Sequence, residues 1–262
     1  MIAIFAGSGD YPIEIKKSLI KLKKKVLIIN LSNRNIKNSF KVSIGQFGKI
    51  LSLLKKNNVK EAIFAGKIER PDLRSLKFDF TALRYLPALK KHFSKGDGKL
   101  LMFLSKILKK YNVKIIDSHK YSKDLLLNST VTTKKPSKID KIDFLKGKKI
   151  LNDLSKFDNA QAIVIDNGYI LSIEASEGTD MMLNRTIKLK SKYKKKSGVL
   201  IKLPKKNQSL KFDLPTIGYK TINLCIKSKL NGIFLLKNKN VFLNQQKSIS
   251  LANKNNFFIS AI

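Results

Sequence analysis

The chain has 262 residues, 43% hydrophobic and 27% charged, a globular balance that suits one large domain or two of ordinary size. No apolar run nears the roughly 20 residues of a membrane helix. Residues 1–7 are too short and lack the basic lead-in of a signal peptide, and the one cysteine, Cys225, excludes an intramolecular disulfide framework, so cytoplasm is the expected compartment. The 54 basic against 18 acidic residues give +36, yet just five of the 54 are arginine and tryptophan is absent, which argues against direct base reading in nucleic acid.

In chain order, Ile2–Phe5 reads as a short buried strand, followed by a glycine turn and a helical pattern over 13–22. Val26–Leu31 is a second strand, Gly48–Leu54 a helix, and Ala62–Ala65 a third strand ending at Gly66. A helix is predicted over 99–108 and a strand over 113–116. The polar stretch 128–141, interrupted by Pro136, reads as a linker. Beyond it come a helix over 139–154 and strands at 162–165 and 169–173 around the Asp166-Asn167-Gly168 turn. A helix after Gly178, a strand at 199–201, a helix from Tyr219, and strands at 233–236 and 257–261 complete the pattern. The expected architecture is two α/β domains with mostly parallel or mixed sheets, residues 1–133 and 134–262, with a ligand cleft between them.

Several turns carry residues suited to phosphate chemistry. Gly7-Ser8-Gly9 lies between a strand and a helix, where backbone N–H groups and the helix N-terminus favour an anion. It lacks the Gly-Lys-Ser/Thr of a P-loop, and a tight turn without ligand is the plain alternative. Lys67 and Arg70 follow the third strand, where open parallel sheets place ligands; Arg70 stands out because arginine is rare here. The profile of 49 lysines, 21 asparagines and 11 alanines is one that AT-biased codons produce without selection for charge. Asp97 opens a predicted helix and suits either a cap or a ligand contact.

Glu174, Glu177 and Asp180 gather three of the 18 acids where a strand passes into a helix, a pattern for Mg²⁺ or for a helix with first-turn acids. Thr179 and the N–H groups beyond Gly178 suit phosphate. Asp213, in Asp213-Leu214-Pro215-Thr216-Ile217-Gly218, suits a general base or metal ligand, or else an Asp in a Pro turn. His92 and His119 have no ligand spacing, so a zinc centre is not expected, and Cys225 falls on an apolar helix face as a core residue.

Taken in order, these segments resemble the UDP-2,3-diacylglucosamine pyrophosphatases of the LpxI type, which act in lipid A biosynthesis. The resemblance covers essentially the whole chain: Ala6-Gly7-Ser8-Gly9 with Pro12, Gly45-Gln46-Phe47-Gly48, Ala65-Gly66-Lys67 with Arg70-Pro71, Lys95-Gly96-Asp97, the block from Asp166 to Met181, Gly198-Val199-Leu200 with Lys202, and the Asp213–Gly218 block. It implies hydrolysis of UDP-2,3-diacylglucosamine to UMP and 2,3-diacylglucosamine 1-phosphate, with attack on the β-phosphorus and a divalent cation, usually Mg²⁺. It implies Asp213 as the catalytic carboxylate, and metal contact by Asp213 and Glu177. Substrate contact falls on Gly7, Ser8, Gly9, Tyr11, Lys67, Arg70, Asp97, Gly178, Thr179, Asp180, Lys202, Gln208 and Thr216. Two departures stand out: Gly98 replaces a second aspartate, and Lys205–Ser209 keeps Gln208 without the family's proline and acid. The basic surface would favour the anionic inner leaflet as a peripheral partner. A non-catalytic nucleotide-sugar or lipid carrier is the alternative, keeping the glycine turns but tolerating loss of Asp213.

Overall fold

The computed structural model describes residues 1–67, 76–93, 97–157, 159–205 and 214–262, with the backbone alone at 89–93 and 97–100. Arg70, Gln208 and Asp213 lie outside the described residues. The chain divides after Lys123 into two compact units, both α/β, as expected. No helix among the described residues is long and apolar enough to cross a membrane.

The first unit runs β1 (Ile2–Ala6), α1 (Tyr11–Lys21), β2 (Val26–Asn30), β3 (Phe40–Lys41), α2 (Phe47–Lys56), β4 (Glu61–Ala65), α3 (Phe80–Phe93), α4 (Asp97–Lys110) and β5 (Lys114–Ile115). Its five strands are all parallel, in the order β3-β2-β1-β4-β5. Parallel strands are covered on both faces, which is why β1 is Ile-Ala-Ile-Phe-Ala and buried throughout. The chain builds outward from β1 through β2 to β3, then returns to add β4 on the other side. The exits of β1 and β4 therefore flank the switch point, where this architecture leaves a crevice.

The helix α3 has no counterpart among the sequence expectations, because Pro87 interrupts its apolar pattern. Its start is set by Asp79, whose Oδ1 accepts the Ala82 N–H at 2.8 Å. Asp79 Oδ2 accepts the Gly48 N–H at 2.7 Å, so one carboxylate caps α3 and α2 together. A Cβ at Gly48 would sit 3.0 Å from that Oδ2.

The second unit runs α5 (Lys138–Leu154), β6 (Ala162–Asp166), β7 (Tyr169–Ile173), α6 (Thr179–Leu189), β8 (Val199–Lys202), β9 (Thr216–Ile217), α7 (Tyr219–Lys227), β10 (Gly232–Leu235), β11 (Val241–Phe242), α8 (Gln245–Lys254) and β12 (Phe258–Ala261). Its main sheet has the order β12-β10-β8-β6-β7, and β9 pairs with β11 separately. Because β6 is antiparallel to both its neighbours, β7, β8, β10 and β12 all point the same way. Alternation along β6 sends Ile163 and Ile165 to the core under α5, with Phe144, Val199 and Ile201. Ala162 and Val164 face the opposite core, with Leu200, Met182, Leu183, Ile222 and Cys225. Cys225 is fully buried, and burial pushes its thiol far above the usual range, as a core residue requires.

The β6–β7 turn places Asn167 at φ 49° and Gly168 at φ 82°, the left-handed pair that a two-residue hairpin favours. Asp143 on α5 accepts both N–H groups, from Asn167 at 3.0 Å and Gly168 at 2.7 Å. Beside it Asp166 Oδ2 takes the Lys190 ammonium at 2.8 Å and the Ser197 hydroxyl at 2.7 Å, with Lys190 1% exposed. Burial holds Lys190 below the usual lysine range, against the pull of Asp166.

The units part ten residues before the 133/134 junction expected from composition. Residues of the expected linker serve the second unit instead. Val131 N–H donates to Ile259 O at 3.1 Å, Thr132 Oγ1 accepts the Ile259 N–H at 2.9 Å, and Thr130 and Ser260 hydroxyls meet at 2.7 Å. This segment occupies the open side of β12, satisfying backbone groups that an edge strand would expose.

Candidate active site

At the switch point of the first unit the two strand exits are bonded to each other. Gly7 N–H donates to Ala65 O at 2.8 Å, Ser8 N–H to Lys67 O at 2.8 Å, and Lys67 N–H to Ser8 O at 3.2 Å. A Cβ at Gly7 would lie 2.5 Å from Lys67 O, and one at Gly66 2.4 Å from Ser8 O. Close approach of two backbones thus demands these glycines. Gly7 and Ser8, expected to offer N–H groups to phosphate, spend them inside the fold, and the Ser8 hydroxyl also donates to Lys67 O at 3.0 Å. Gly9 is different: its φ is 92°, a Cβ there would meet nothing within 4 Å, and it borders the N-terminus of α1.

Arg34 braces that turn from the loop after β2, donating to Gly9 O at 2.9 Å and Asp10 Oδ1 at 2.6 Å. Tyr11, expected to contact substrate, is buried in the first turn of α1, and its hydroxyl donates to Ser118 Oγ at 2.8 Å. Its position makes it part of the packing of that helix. The Lys67 side chain is exposed at the same edge. Asp97 is the first residue of α4.

The second unit assembles a denser polar cluster where β7 and β8 end. The sheet register sets Ala162 opposite Lys202 and Ile163 opposite Ile173, so β6 begins between the two exits. Glu174, just past β7, accepts the Gln161 N–H on Oε2 at 3.2 Å and the Thr179 hydroxyl on Oε1 at 2.9 Å. Lys202, at the end of β8, donates from Nζ to Thr179 Oγ1 at 2.6 Å. Both Lys202 and Thr179 are 7% exposed. Asn240, fully buried, donates to Lys202 O at 3.2 Å and accepts the Leu236 N–H at 3.0 Å, tying the ends of β8 and β10.

Gly178, at φ 83°, turns the chain into α6, so Thr179 and the residues after it present first-turn N–H groups that no helix bond uses. Asp180 joins α6 to the start of α7, with Oδ2 2.9 Å from Lys220 Nζ and Oδ1 accepting from Thr221 at 3.4 Å. Thr216 donates its hydroxyl to Leu214 O at 3.1 Å, and β9 and Gly218 lead from there into α7.

Among the described residues the Lys202 ammonium has one neutral acceptor, which leaves two N–H groups for a ligand. With the N-terminus of α6 beside it, this edge suits phosphoryl oxygens. Glu177 Oε1 accepts from Arg185, and among the described residues, which leave out Asp213, no group of three His, Cys, Asp or Glu is placed to hold a metal. The Glu177 backbone N–H and Arg185 hold that carboxyl below its usual range. Arg185→Gln is expected to move the Glu177 titration midpoint upward by carboxyl-carbon NMR; an unmoved midpoint contradicts the pairing.

Sequence patterns did not single out Asn240 or Arg34. Arginine rarity was the available signal for Arg34, and nothing distinguishes Asn240 among 21 asparagines.

Comparison with known proteins agrees along the whole length. The family model for the LpxI N-terminal domain matches residues 1–125, and that for the LpxI C-terminal domain matches residues 128–260. A UDP-2,3-diacylglucosamine pyrophosphatase LpxI from Caulobacter vibrioides is 27% identical, with 100% of this chain and 97% of that protein covered. Two domain matches in the right order, each falling on one of the compact units, lead to one conclusion: the chain belongs to the LpxI family.

Proposed function

We propose that this chain hydrolyses UDP-2,3-diacylglucosamine to UMP and 2,3-diacylglucosamine 1-phosphate, a step in making lipid A, in the cytoplasm at the anionic face of the inner membrane. The observation that carries the reading is the buried Lys202 ammonium, poised beside the N-terminus of α6 in a chain that matches its full-length relative. Pyrophosphate cleavage is chiefly positioning and neutralisation of phosphoryl charge. Lys202 and the first-turn N–H groups of α6, that of Thr179 among them, supply that here.

Asp213 accepts a proton from the attacking water. The water oxygen bonds to the β-phosphorus, the bond from that phosphorus to the bridging oxygen breaks, and its electron pair leaves with UMP. Support for Asp213 comes from the Asp-Leu-Pro-Thr-Ile-Gly block, whose described part is firmly built: Leu214 is 3% exposed and β9 pairs with β11. Mg²⁺ is the expected cofactor, and Asp213 is the carboxylate proposed to hold it. It would supply positive charge to the phosphoryl oxygens.

The test is UMP release from substrate in lipid–detergent micelles, with Mg²⁺ or EDTA, in water enriched in ¹⁸O. The expected result is Mg²⁺-dependent release with the label in the sugar phosphate. Label in UMP overturns the β-phosphorus assignment, and EDTA-resistant turnover removes the cation. Binding without release favours the carrier.

A further inference from the structure

We infer that Glu174 is a positioning residue for this reaction: through the Thr179 hydroxyl it fixes the direction in which the Lys202 ammonium points. The inference rests on the phosphoryl-binding role of Lys202 proposed above and adds to that site a residue acting one step behind it.

The chain of contacts is directional. A carboxylate only accepts, an ammonium only donates, and a hydroxyl has one proton to give. Thr179 commits its proton to Glu174 Oε1 at 2.9 Å, so towards Lys202 its oxygen can only accept, and Nζ donates to it at 2.6 Å. The carboxylate therefore reaches the ammonium through a hydroxyl. Glu174 is itself held, since Oε2 accepts the Gln161 N–H at 3.2 Å and its own N–H donates to Ala162 O at 2.9 Å. Asn240 fixes the backbone of Lys202 independently. What Glu174 controls is thus the heading of the ammonium and of its two remaining N–H groups, within a site where both Lys202 and Thr179 are 7% exposed. An amide at 174 can turn its NH₂ towards Thr179, reverse the hydroxyl, and aim that proton at Lys202. The ammonium then has no acceptor there and swings away.

The test compares wild type with Glu174→Gln, Thr179→Val, Thr179→Ser and the double variant Glu174→Gln/Thr179→Val. Glu174→Gln and Thr179→Val are each expected to lower kcat by about 10- to 100-fold, with a much smaller change in KM and a Tm close to wild type. Thr179→Ser restores most of what Thr179→Val loses. The double variant is no slower than the slower single, because both break one path. Wild-type kcat in Glu174→Gln overturns the inference. So does a double variant whose loss is the product of the singles, or a loss that simply follows falling Tm.

Failure of the parent reading shows separately, as a wild type that releases no UMP. The relay is then decided by ¹⁵N NMR of the Lys202 ammonium. Protection from solvent exchange in wild type and its loss in Glu174→Gln supports it, and equal protection in both overturns it.

Discussion

Asp213→Ala is expected to cut turnover by about 10²- to 10⁴-fold, the range over which a positioned general base contributes. Substrate binding and Tm are expected to stay near wild type. The expectation follows from a division of labour. On the proposed function, Lys202 and the start of α6 hold phosphoryl oxygens whether or not water is activated, so truncating the base leaves ground-state contacts in place. Leu214, the β9–β11 pair and the Thr216 hydroxyl bond hold the described part of the Asp213–Gly218 block. Single-turnover kinetics and equilibrium binding separate the two effects. Turnover within a few-fold of wild type removes Asp213 from the reaction. Loss of binding equal to the loss of turnover makes it a substrate contact instead.

The largest effect on stability is expected from Lys190→Met. Lys190 and Asp166 form an ion pair at 2.8 Å with side chains 1% and 5% exposed. Removing the cation leaves a buried carboxylate with the Ser197 hydroxyl and the Asn167 amide as its remaining partners. Such a loss costs about 3–5 kcal/mol, which for a domain of this size lowers Tm by roughly 10–20 °C. The pair joins the β6–β7 turn to the segment between α6 and β8. The double variant Lys190→Met/Asp166→Leu is expected to recover much of the loss, since no unpaired charge remains. A Tm within about 3 °C of wild type for Lys190→Met alone would show that water reaches Asp166 in the variant.

The central strands and most helices were legible because their burial is written in apolar residues. Ile-Ala-Ile-Phe-Ala of β1 and Ala-Ile-Val-Ile-Asp of β6 have few competing readings. The helix α8 was not legible, because its buried positions are Ser248 and Ala252, which leave no hydrophobic period. The two-residue strands β3, β9 and β11 carry too little sequence to register. At the site, Thr179 and Asp180 were reached from the residue pattern where a strand passes into a helix, and Lys202 through motif resemblance. Lys202 is otherwise one of 49 lysines, and among the lysines of the described residues it shares its burial with Lys190 alone. Gly7 and Ser8 misled in role because a glycine needed for backbone approach and one needed for phosphate look alike in sequence; Lys67 O lying 2.5 Å from a Cβ at Gly7 distinguishes them.

The order in which strands enter each sheet has a consequence during synthesis. The first sheet is complete once Ile115 has left the ribosome, while the second needs Ala261, 146 residues later. At cellular elongation rates that interval is roughly 7–30 s. Within that interval β6, β8 and β10 emerge in turn and wait for β12, and the segment around Val131 waits for Ile259. The nascent second unit is therefore the part of this chain on which chaperones have the longest opportunity to act.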